Sequence, residues 1–272
     1  MGKNIVKFGY ISFLLLTMYS CRNMEKHYTY NHGAIVRGDT ATKDIALVFT
    51  GDEFGDGGEY ISEILEKENV KASFFLTGNF YRNKEFKPVI RKLLKDGNYL
   101  GSHSDRHLLY CDWTKRDSLL VSREEFVEDL NNSYSEMVKY GIRREEAAYF
   151  LPPYEWYNDS IALWTDQSDL RLVNFTGGTR SNADYTYPEM GNQYADSKTI
   201  YNSIISYEQQ SVSGMNGFIL LIHIGTDPLR SDKFYFYLPE LIKELKIKGY
   251  KFARIDELLS PWGEAGKGAF KK

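Results

Sequence analysis

The sequence predicts an α/β fold, a distorted (β/α)7 barrel of parallel strands in one domain. From Asp44 onward, short apolar runs of strand length alternate with helical segments, and this alternation favours parallel strands joined by right-handed crossovers. No G-x-G-x-x-G sequence follows the first strand, which disfavours an open dinucleotide-binding sheet. No low-complexity linker interrupts the pattern, so we expect a single domain over residues 44–272.

Seven segments are predicted to be strands and six to be helices. The continuously apolar run from Ile45 to Phe49 is typical of a strand buried on both faces. Ser122, followed three residues later by Glu125, predicts the start of a helix. The predicted strands are residues 45–50, 70–77, a segment near 99, 148–151, 170–175, 218–224 and 250–255. The predicted helices are 57–67, 88–94, 123–140, 160–164, 199–207 and 238–245.

Residues 1–20 are predicted to be a lipoprotein signal peptide. Lys3 and Lys7 precede an apolar run that is too short to span a bilayer comfortably. The run closes with Met18-Tyr19-Ser20-Cys21, which resembles a bacterial lipobox except for Met18 in place of the usual Leu. We therefore expect an exported protein anchored to a membrane through a lipid on Cys21. A plain cleaved signal peptide is the alternative.

Residues 21–43 are polar and lack periodicity, so they are interpreted as a tether and lead-in. Arg22 after Cys21 resembles an outer-membrane sorting signal, so the expected location is the periplasm or the outer membrane. With Cys21 acylated, Cys111 has no cysteine to pair with and is expected to be a free structural thiol. The net charge of -3 provides no basic footprint, so no nucleic-acid partner is expected.

Chemically active side chains follow the ends of five predicted strands. In parallel α/β proteins the site forms where the carboxyl ends of the strands meet. These residues are Asp52 and Glu53 after the first strand, His103 and His107 after the third, Tyr154 and Trp156 after the fourth, Asp184 in a later loop and His223 at the end of the strand at 218–224. Three histidines and several carboxylates are therefore expected on one rim.

The spacing of His103 and His107 predicts two imidazoles on one side of a helical turn, able to hold one metal ion. Two histidines and one carboxylate are the usual ligands of a hydrolytic metal, which lowers the pKa of a bound water. A second carboxylate is then needed to take the proton from the water, and His223 to protonate the leaving group. Metal-assisted hydrolysis of an ester or amide is predicted. The structural alternatives are that Asp52 or Glu53 caps a helix and that His223 is an ordinary buried histidine.

These motifs resemble the polysaccharide deacetylase superfamily, carbohydrate esterase family four, over roughly residues 44–258. Residues 103–107 match its His-Ser-x-x-His metal motif, and residues 71–75 resemble its second strand. The resemblance implies a divalent metal, zinc by default. It also implies His223 as general acid, oriented by Asp184, and Leu221 in the acetyl pocket. The Pro-Pro-Tyr sequence ending at Tyr154 implies that the backbone N–H of Tyr154 stabilises the oxyanion, and Trp156 beside it is a predicted substrate contact.

The first motif departs from that family. The family strand ends in Thr-Phe-Asp-Asp-Gly, whose first Asp is the base and whose second Asp binds the metal. Alignment on Phe49 places Thr50 and Gly51 at these positions, and Leu151 replaces the Arg that orients the base. Joint loss is coherent, because an Arg without its carboxylate is a buried unpaired charge.

The leading interpretation places Asp52 as the third metal ligand and Glu53 as the base. The reverse assignment, and a metal held by the histidines and water alone, stay open. The expected substrate is an acetylated polysaccharide or peptidoglycan-like glycan, N- or O-acetylated. An inactive, envelope-anchored glycan-binding protein is the second hypothesis, and hydrolysis of a non-acetyl amide is the third. In the second hypothesis the rim aromatics stack on sugars: Tyr110, Trp113, Tyr154, Trp156 and Tyr157.

Overall fold

The computed structural model describes residues 27–260. The strands are β1 (Thr29–Asn31), β2 (Ala34–Arg37), β3 (Asp44–Gly51), β4 (Ser73–Leu76), β5 (Tyr99–Ser102), β6 (Tyr149–Phe150), β7 (Arg171–Leu172), β8 (Phe218–His223) and β9 (Lys251–Ala253). The last seven form one parallel sheet in the order β7-β6-β5-β4-β3-β8, with β9 paired to the first half of β3. Residues 1–20, predicted to be a signal peptide, together with Cys21 and residues 261–272, lie outside the described residues.

Helices connect the strands, as the sequence predicts. They are α1 (Gly58–Lys67), α2 (Gly78–Arg82), α3 (Lys87–Lys95), α4 (Arg123–Val138), α5 (Asp159–Asp166), α6 (Ser197–Gln210), α7 (Leu238–Ile247) and α8 (Ile255–Leu258). The predicted capping box is present, since Ser122 and Glu125 each bond the other's backbone N–H. The sequence patterns missed α2 and α8, because helices of 5 and 4 residues are too short to show a 3.6-residue period. Between residues 27 and 260, no helix is long and apolar enough to cross a membrane.

The sheet curls because its two edges are bridged. Strand β7 covers only part of the strand predicted at residues 170–175, and the chain beyond it leaves the sheet. The backbone N–H of Thr176 donates to the carbonyl of Ile219 in β8 at 3.0 Å, and the N–H of Ile219 donates to Thr176 Oγ1 at 3.0 Å. The predicted fold class, a distorted barrel of parallel strands, is confirmed.

The lead-in predicted at residues 21–43 contains structure. Strands β1 and β2 form an antiparallel hairpin, and Ala34 and Ile35 are buried. His32 and Gly33 at its tip have φ of 43° and 80°, the left-handed pair that a tight two-residue hairpin needs. Ile35 bridges to Val173, so the hairpin belongs to the domain. The interpretation of this part as a tether is wrong, because two strands of 3 and 4 residues are too short to show an alternating pattern.

Candidate active site

Strand register brings the predicted site residues to one rim. Thr50 of β3 pairs with His223 of β8, and Gly51 pairs with Leu76 of β4. Leu76 in turn pairs with Ser102 of β5, which pairs with Phe150 of β6. Because these pairs lie at the carboxyl ends of parallel strands, the loops that follow them emerge side by side.

The histidine loop, residues 103–107, is not helical. It follows β5 as irregular backbone, and Ser104 and His107 have φ of 75° and 56°. The prediction of one helical turn is therefore wrong, although the two imidazoles are still neighbours, with ring centroids 5.1 Å apart. The N–H of His107 donates to Ser104 Oγ at 3.0 Å. The loop holds the two rings together through left-handed residues rather than through helical spacing.

Asp129 of α4 anchors this loop from below. Its carboxylate is fully buried and accepts from the N–H groups of Asp105 and Arg106 at 3.0 and 3.1 Å. It also accepts from the hydroxyl of Tyr110 at 3.0 Å. Sequence reasoning missed Asp129. Its signal was an acid next to Leu130 on the apolar side of a predicted amphipathic helix.

Both imidazoles are in the state that metal ligands require. His103 Nδ1 lies 2.8 Å from the carbonyl oxygen of Leu151. A carbonyl only accepts, so Nδ1 carries the proton and Nε2 keeps a free lone pair. Burial, together with the neighbouring His107, holds the pKa of His103 well below its usual range. Burial also lowers the pKa of His107, against the opposing charge of Asp52. Burial therefore favours the neutral form of both rings.

Asp52 is the carboxylate that lies next to the histidine pair. Its Oδ2 lies 4.0 Å from His107 Nδ1. Its Oδ1 accepts from Thr77 Oγ1 at 2.7 Å and from Asn79 Nδ2 at 3.3 Å. These bonds fix its direction. Asp52 does not cap a helix, since α1 has Gly57 as its N-cap and no side chain bonds there.

The two family aspartate positions hold nothing that can replace a carboxylate. Thr50 Oγ1 is buried and has no hydrogen-bond partner among residues 27–260. A Cβ added at Gly51 would lie 2.6 Å from Ile224 Cγ2 and 3.0 Å from Leu76 Cδ2. A side chain at position 51 therefore needs rearrangement of the core around it.

The donor types of this site fit a divalent metal. Two neutral imidazoles and one carboxylate are a hydrolytic ligand set. Within residues 27–260, no group of three or more His, Cys, Asp or Glu side chains is close enough together to hold a metal ion. His103, His107 and Asp52 are therefore a candidate ligand set. In this structure Asp52 is not close enough to the two histidines to complete a metal site with them.

His223 and Asp184 form a tight ion pair. Asp184 Oδ1 lies 2.6 Å from His223 Nδ1, and Asp184 Oδ2 accepts from the backbone N–H of His223 at 2.9 Å. Burial works against the imidazolium, but the charge and hydrogen bond of Asp184, helped by Glu155, raise the pKa of His223 above its usual value. Nδ1 therefore carries the proton that faces Asp184, and the raised pKa favours the imidazolium, which leaves Nε2 as the nitrogen that can donate a proton as a general acid.

Arg230, a second residue missed from the sequence, fixes the loop that carries Asp184. Its side chain is fully buried. Its guanidinium donates to the carbonyl of Thr186, to that of Ala195 at 3.0 Å and to Ser197 Oγ at 3.1 Å. A single arginine in a polar stretch shows no sequence signal of burial. The structure identifies it as the clamp on residues 186–197.

Glu53 and Leu221 are positioned differently from the histidines. Glu53 is exposed and opens onto a cavity of about 810 Å³ whose lining includes Phe86 and Lys92, with no histidine among the described lining residues. Leu221 is fully buried, pairs with Val48 of β3 and lies two residues before His223. Their predicted roles as base and acetyl-pocket residue stay predictions.

An aromatic ledge of Trp113, Tyr154 and Trp156 borders the histidine loop. The Tyr154 ring lies 4.4 Å from that of His107, and Trp113 lies 5.7 Å from Tyr154. Trp113 and Tyr154 are exposed. Trp156 is half-buried under the guanidinium of Arg116, 4.0 Å from its ring centroid.

Tyr110 and Tyr157 do not belong to this ledge. Both are buried, and the hydroxyl of Tyr157 donates to the carbonyl of Asn31 at 3.0 Å. Their interpretation as stacking platforms is wrong, because each ring fills the core and its hydroxyl ties distant segments together. The sequence cannot separate rim from core tyrosines where both follow strand ends.

Glu155 also lies at this site, on the turn after β6. Tyr154 and Glu155 have φ of 59° and 52°, two successive non-glycine residues in the left-handed region. The side chain is half-buried. Burial raises the pKa of Glu155 to about 7, with His223 lowering and Asp184 raising it. The sequence showed this acid within the Pro-Pro-Tyr-Glu-Trp stretch without indicating a role.

Comparison with known proteins gives one family. The polysaccharide deacetylase family model matches residues 37–173. An uncharacterized 30.6 kDa protein of Geobacillus stearothermophilus is 26% identical over 230 residues, covering 84% of this chain and 75% of that protein. The peptidoglycan-N-acetylmuramic acid deacetylase PdaA of Bacillus subtilis is 23% identical over 233 residues, covering 84% and 76%. A solved CE4 family pseudoenzyme from Bacillus anthracis superimposes with a TM-score of 0.64 at 21% identity, covering 84% and 69%. This chain belongs to the polysaccharide deacetylase family.

Proposed function

We propose that this protein is a metal-dependent deacetylase that removes acetyl groups from an N- or O-acetylated polysaccharide. The observation that carries the proposal is the Asp184–His223 ion pair at the rim that also holds His103 and His107. A protonated His223 is near enough to lower the pKa of both other histidines. The candidate acid and the candidate metal-binding pair are therefore near enough to act on one bound substrate.

Each residue has a chemical task in this proposal. His103, His107 and Asp52 would hold the metal, which when bound supplies Lewis-acid activation of water and of the acetyl carbonyl. The backbone N–H of Tyr154 donates no hydrogen bond within the described part of the chain, so it is free for a developing oxyanion. His223 donates its proton to the leaving nitrogen or oxygen, and Asp184 keeps the ring oriented while it does so.

Two relatives support a proposal for the substrate class. PdaA of Bacillus subtilis is named a peptidoglycan-N-acetylmuramic acid deacetylase. A relative from Bacillus cereus, 23% identical, is named a peptidoglycan-N-acetylglucosamine deacetylase. We propose an acetylated envelope glycan for this chain. The exposed rings of Trp113 and Tyr154 support it, since aromatic faces stack on sugars.

An inactive glycan-binding protein is the second candidate. Thr50 and Gly51 at the family aspartate positions favour it, as does Leu151 at the arginine position. The pseudoenzyme from Bacillus anthracis shows that the fold occurs without activity, and a mutant of that protein has restored activity. In this case the aromatic ledge would bind glycan and no acetate would be released.

We also propose that the protein is exported and lipid-anchored through Cys21, in the periplasm or on the outer membrane. The basic, apolar and small-residue order of residues 1–21 supports this. Metabolic labelling with a palmitate analogue is expected to mark the wild type and not Cys21→Ser. Equal labelling of both would contradict lipidation.

Acetate release tests the main proposal. Zinc-loaded wild type is incubated with acetylated chito-oligosaccharides, peptidoglycan and acetylated xylan, with and without chelator. We expect acetate from at least one substrate, lost with chelator and in His107→Ala. His27→Ala, an exposed histidine away from the rim, is the matched control and is expected to keep activity. Glycan binding without acetate from any substrate would instead support the binding protein.

A further inference from the structure

We propose that Glu155 is the general base of this site and takes the role that the family assigns to the position of Thr50. The inference rests on the deacetylase function proposed above and names the residue that completes it. Four features carry it, namely the backbone of the turn, its place at the rim, the lack of a partner for the carboxyl group and the unsuitability of the other candidates.

The turn holds Glu155 in a conformation that most side chains avoid. Two successive left-handed residues, Tyr154 and Glu155, cost on the order of 1 kcal/mol each. Two hydrogen bonds fix the turn, from the N–H of Glu155 to the carbonyl of Pro152 at 3.1 Å and from Asn174 Nδ2 to the carbonyl of Glu155 at 2.8 Å. Such strain is retained where the surrounding structure aims a side chain.

The turn places Glu155 among the groups of the site. Tyr154, its neighbour, packs against His107. The carboxyl group itself acts electrostatically on His223 of β8 and on Tyr185, and it responds to Asp184. Glu155 is thus near enough to His223 to influence its pKa, and it directly follows Tyr154, the residue that touches the candidate metal-binding pair.

The carboxyl of Glu155 has no hydrogen bond or ion pair to any other residue in the range 27–260, although it is half-buried. A buried carboxyl without a partner is costly to ionise, which is why its pKa lies near 7. The charged and titratable groups that face it are His223, Asp184 and Tyr185. A base of this kind can accept a proton at neutral pH and release it again.

The other candidates are less suited to the role. Thr50 has no acid–base group, and Gly51 has no room for one. Asp52 is hydrogen-bonded to Thr77 and Asn79 and lies next to His107. Glu53 faces a different cavity. Among the carboxyl groups at the described rim, only that of Glu155 has no hydrogen-bond partner and does not face a different cavity.

The proposed step is hydrolysis of the acetyl group by a water molecule. A water molecule gives one proton to the Glu155 carboxylate while its oxygen bonds to the acetyl carbon, and the carbonyl electron pair moves to oxygen. When that pair re-forms the carbonyl, the bond from the acetyl carbon to nitrogen or oxygen breaks. His223 protonates the leaving atom. Acetic acid and a free amine or hydroxyl result, Glu155 then loses its proton to solvent and His223 regains one.

The test compares zinc-loaded Glu155→Gln with Glu53→Gln and with Glu189→Gln, a control at an exposed glutamate without a bonding partner among the described residues. We expect Glu155→Gln to lose about 100-fold or more of kcat/KM and the control Glu189→Gln to stay within about threefold of the wild type. The acidic limb of the wild-type pH profile, with an apparent pKa near 7, should be absent from the residual activity. Formate should restore part of the activity of Glu155→Ala, an effect that a purely structural role would not give.

The outcomes separate the two proposals. No acetate from the wild type would reject the deacetylase function itself. An active wild type with Glu155→Gln within threefold, or with the loss found in Glu53→Gln instead, would overturn the role of Glu155 and leave the function standing. If Glu155→Gln does not fold, Glu155→Asp decides. It keeps the acid on a shorter arm, so reduced activity with the acidic limb retained supports the proposal, and unchanged activity rejects it.

Discussion

Replacing Glu155 by Gln is expected to stabilise the protein, and only above mildly acidic pH. The folded state raises the pKa of Glu155 from an ordinary 4.5 to about 7 because of burial. An acid whose pKa is raised by folding binds its proton more tightly in the folded state, so stability falls as pH rises from 4.5 to 7. Once both states are ionised, the penalty is roughly 3 kcal/mol at 1.36 kcal/mol per pKa unit. Gln removes this penalty because it never ionises.

Thermal unfolding of the two proteins between pH 5 and pH 8, with chelator present, measures the effect. A gain of roughly 3 kcal/mol corresponds to about 6–12 °C in a domain of this size. The difference in Tm between Glu155→Gln and wild type should therefore widen in favour of the variant as pH rises to 8. Any pH-independent effect of the amide cancels in this comparison. Glu189→Gln should track the wild type. A constant difference across the range would refute the reasoning, since the carboxyl would then ionise normally.

Four further outcomes are expected. Asp129→Asn replaces one of two accepting oxygens by an NH2 group and leaves one N–H group of the histidine loop unsatisfied, so it should lose about 1–3 kcal/mol of stability in denaturant unfolding and bind less zinc. Unchanged zinc affinity would show that the loop needs no anchor. Asp184→Asn removes the charge that raises the pKa of His223, so the alkaline limb of the pH–rate profile should move to lower pH. His103→Ala should abolish stoichiometric zinc in elemental analysis, and full zinc content would exclude it as a ligand. Trp113→Ala should raise KM for long oligosaccharides several-fold with kcat little changed, whereas equal loss for short and long substrates would argue against stacking.

The fold could be predicted because its signals are repetitive. Strand β3 is buried along nearly its whole length and reads as an unbroken apolar run, and each long helix shows an apolar side. The hairpin of β1 and β2 could not be predicted in this way, because its burial depends on contact with Val173, far along the chain. Short elements are fixed by tertiary contacts rather than by their own pattern.

The convergence of the candidate site residues on one rim can be predicted from the sequence, but their detailed arrangement cannot. His103, His107, Asp184 and His223 were expected at one rim, and strand register accounts for that. The conformation of the histidine loop depends on the buried carboxylate of Asp129, which no spacing rule reveals. Likewise, the environment of Glu155 arises from residues brought together only by folding, so its unusual ionisation has no counterpart in the sequence.

In the proposed mechanism, other residues replace the two family carboxylate positions. Thr50 and Leu151 remove a charged pair together, which avoids a buried unpaired charge. Asp52 then stands at His107, and Glu155 supplies a carboxyl without an arginine to depress its pKa. The expected consequence is an enzyme whose activity rises steeply near neutral pH.

The most direct test of the proposed deacetylase mechanism is acetate release from acetylated glycans across pH 5 to 9. The zinc-loaded wild type is compared with Glu155→Gln and His223→Gln. We expect release by the wild type with an acidic limb near pH 7, and loss of about 100-fold or more in either variant. A wild type that binds these glycans and releases no acetate at any pH would contradict the proposed mechanism.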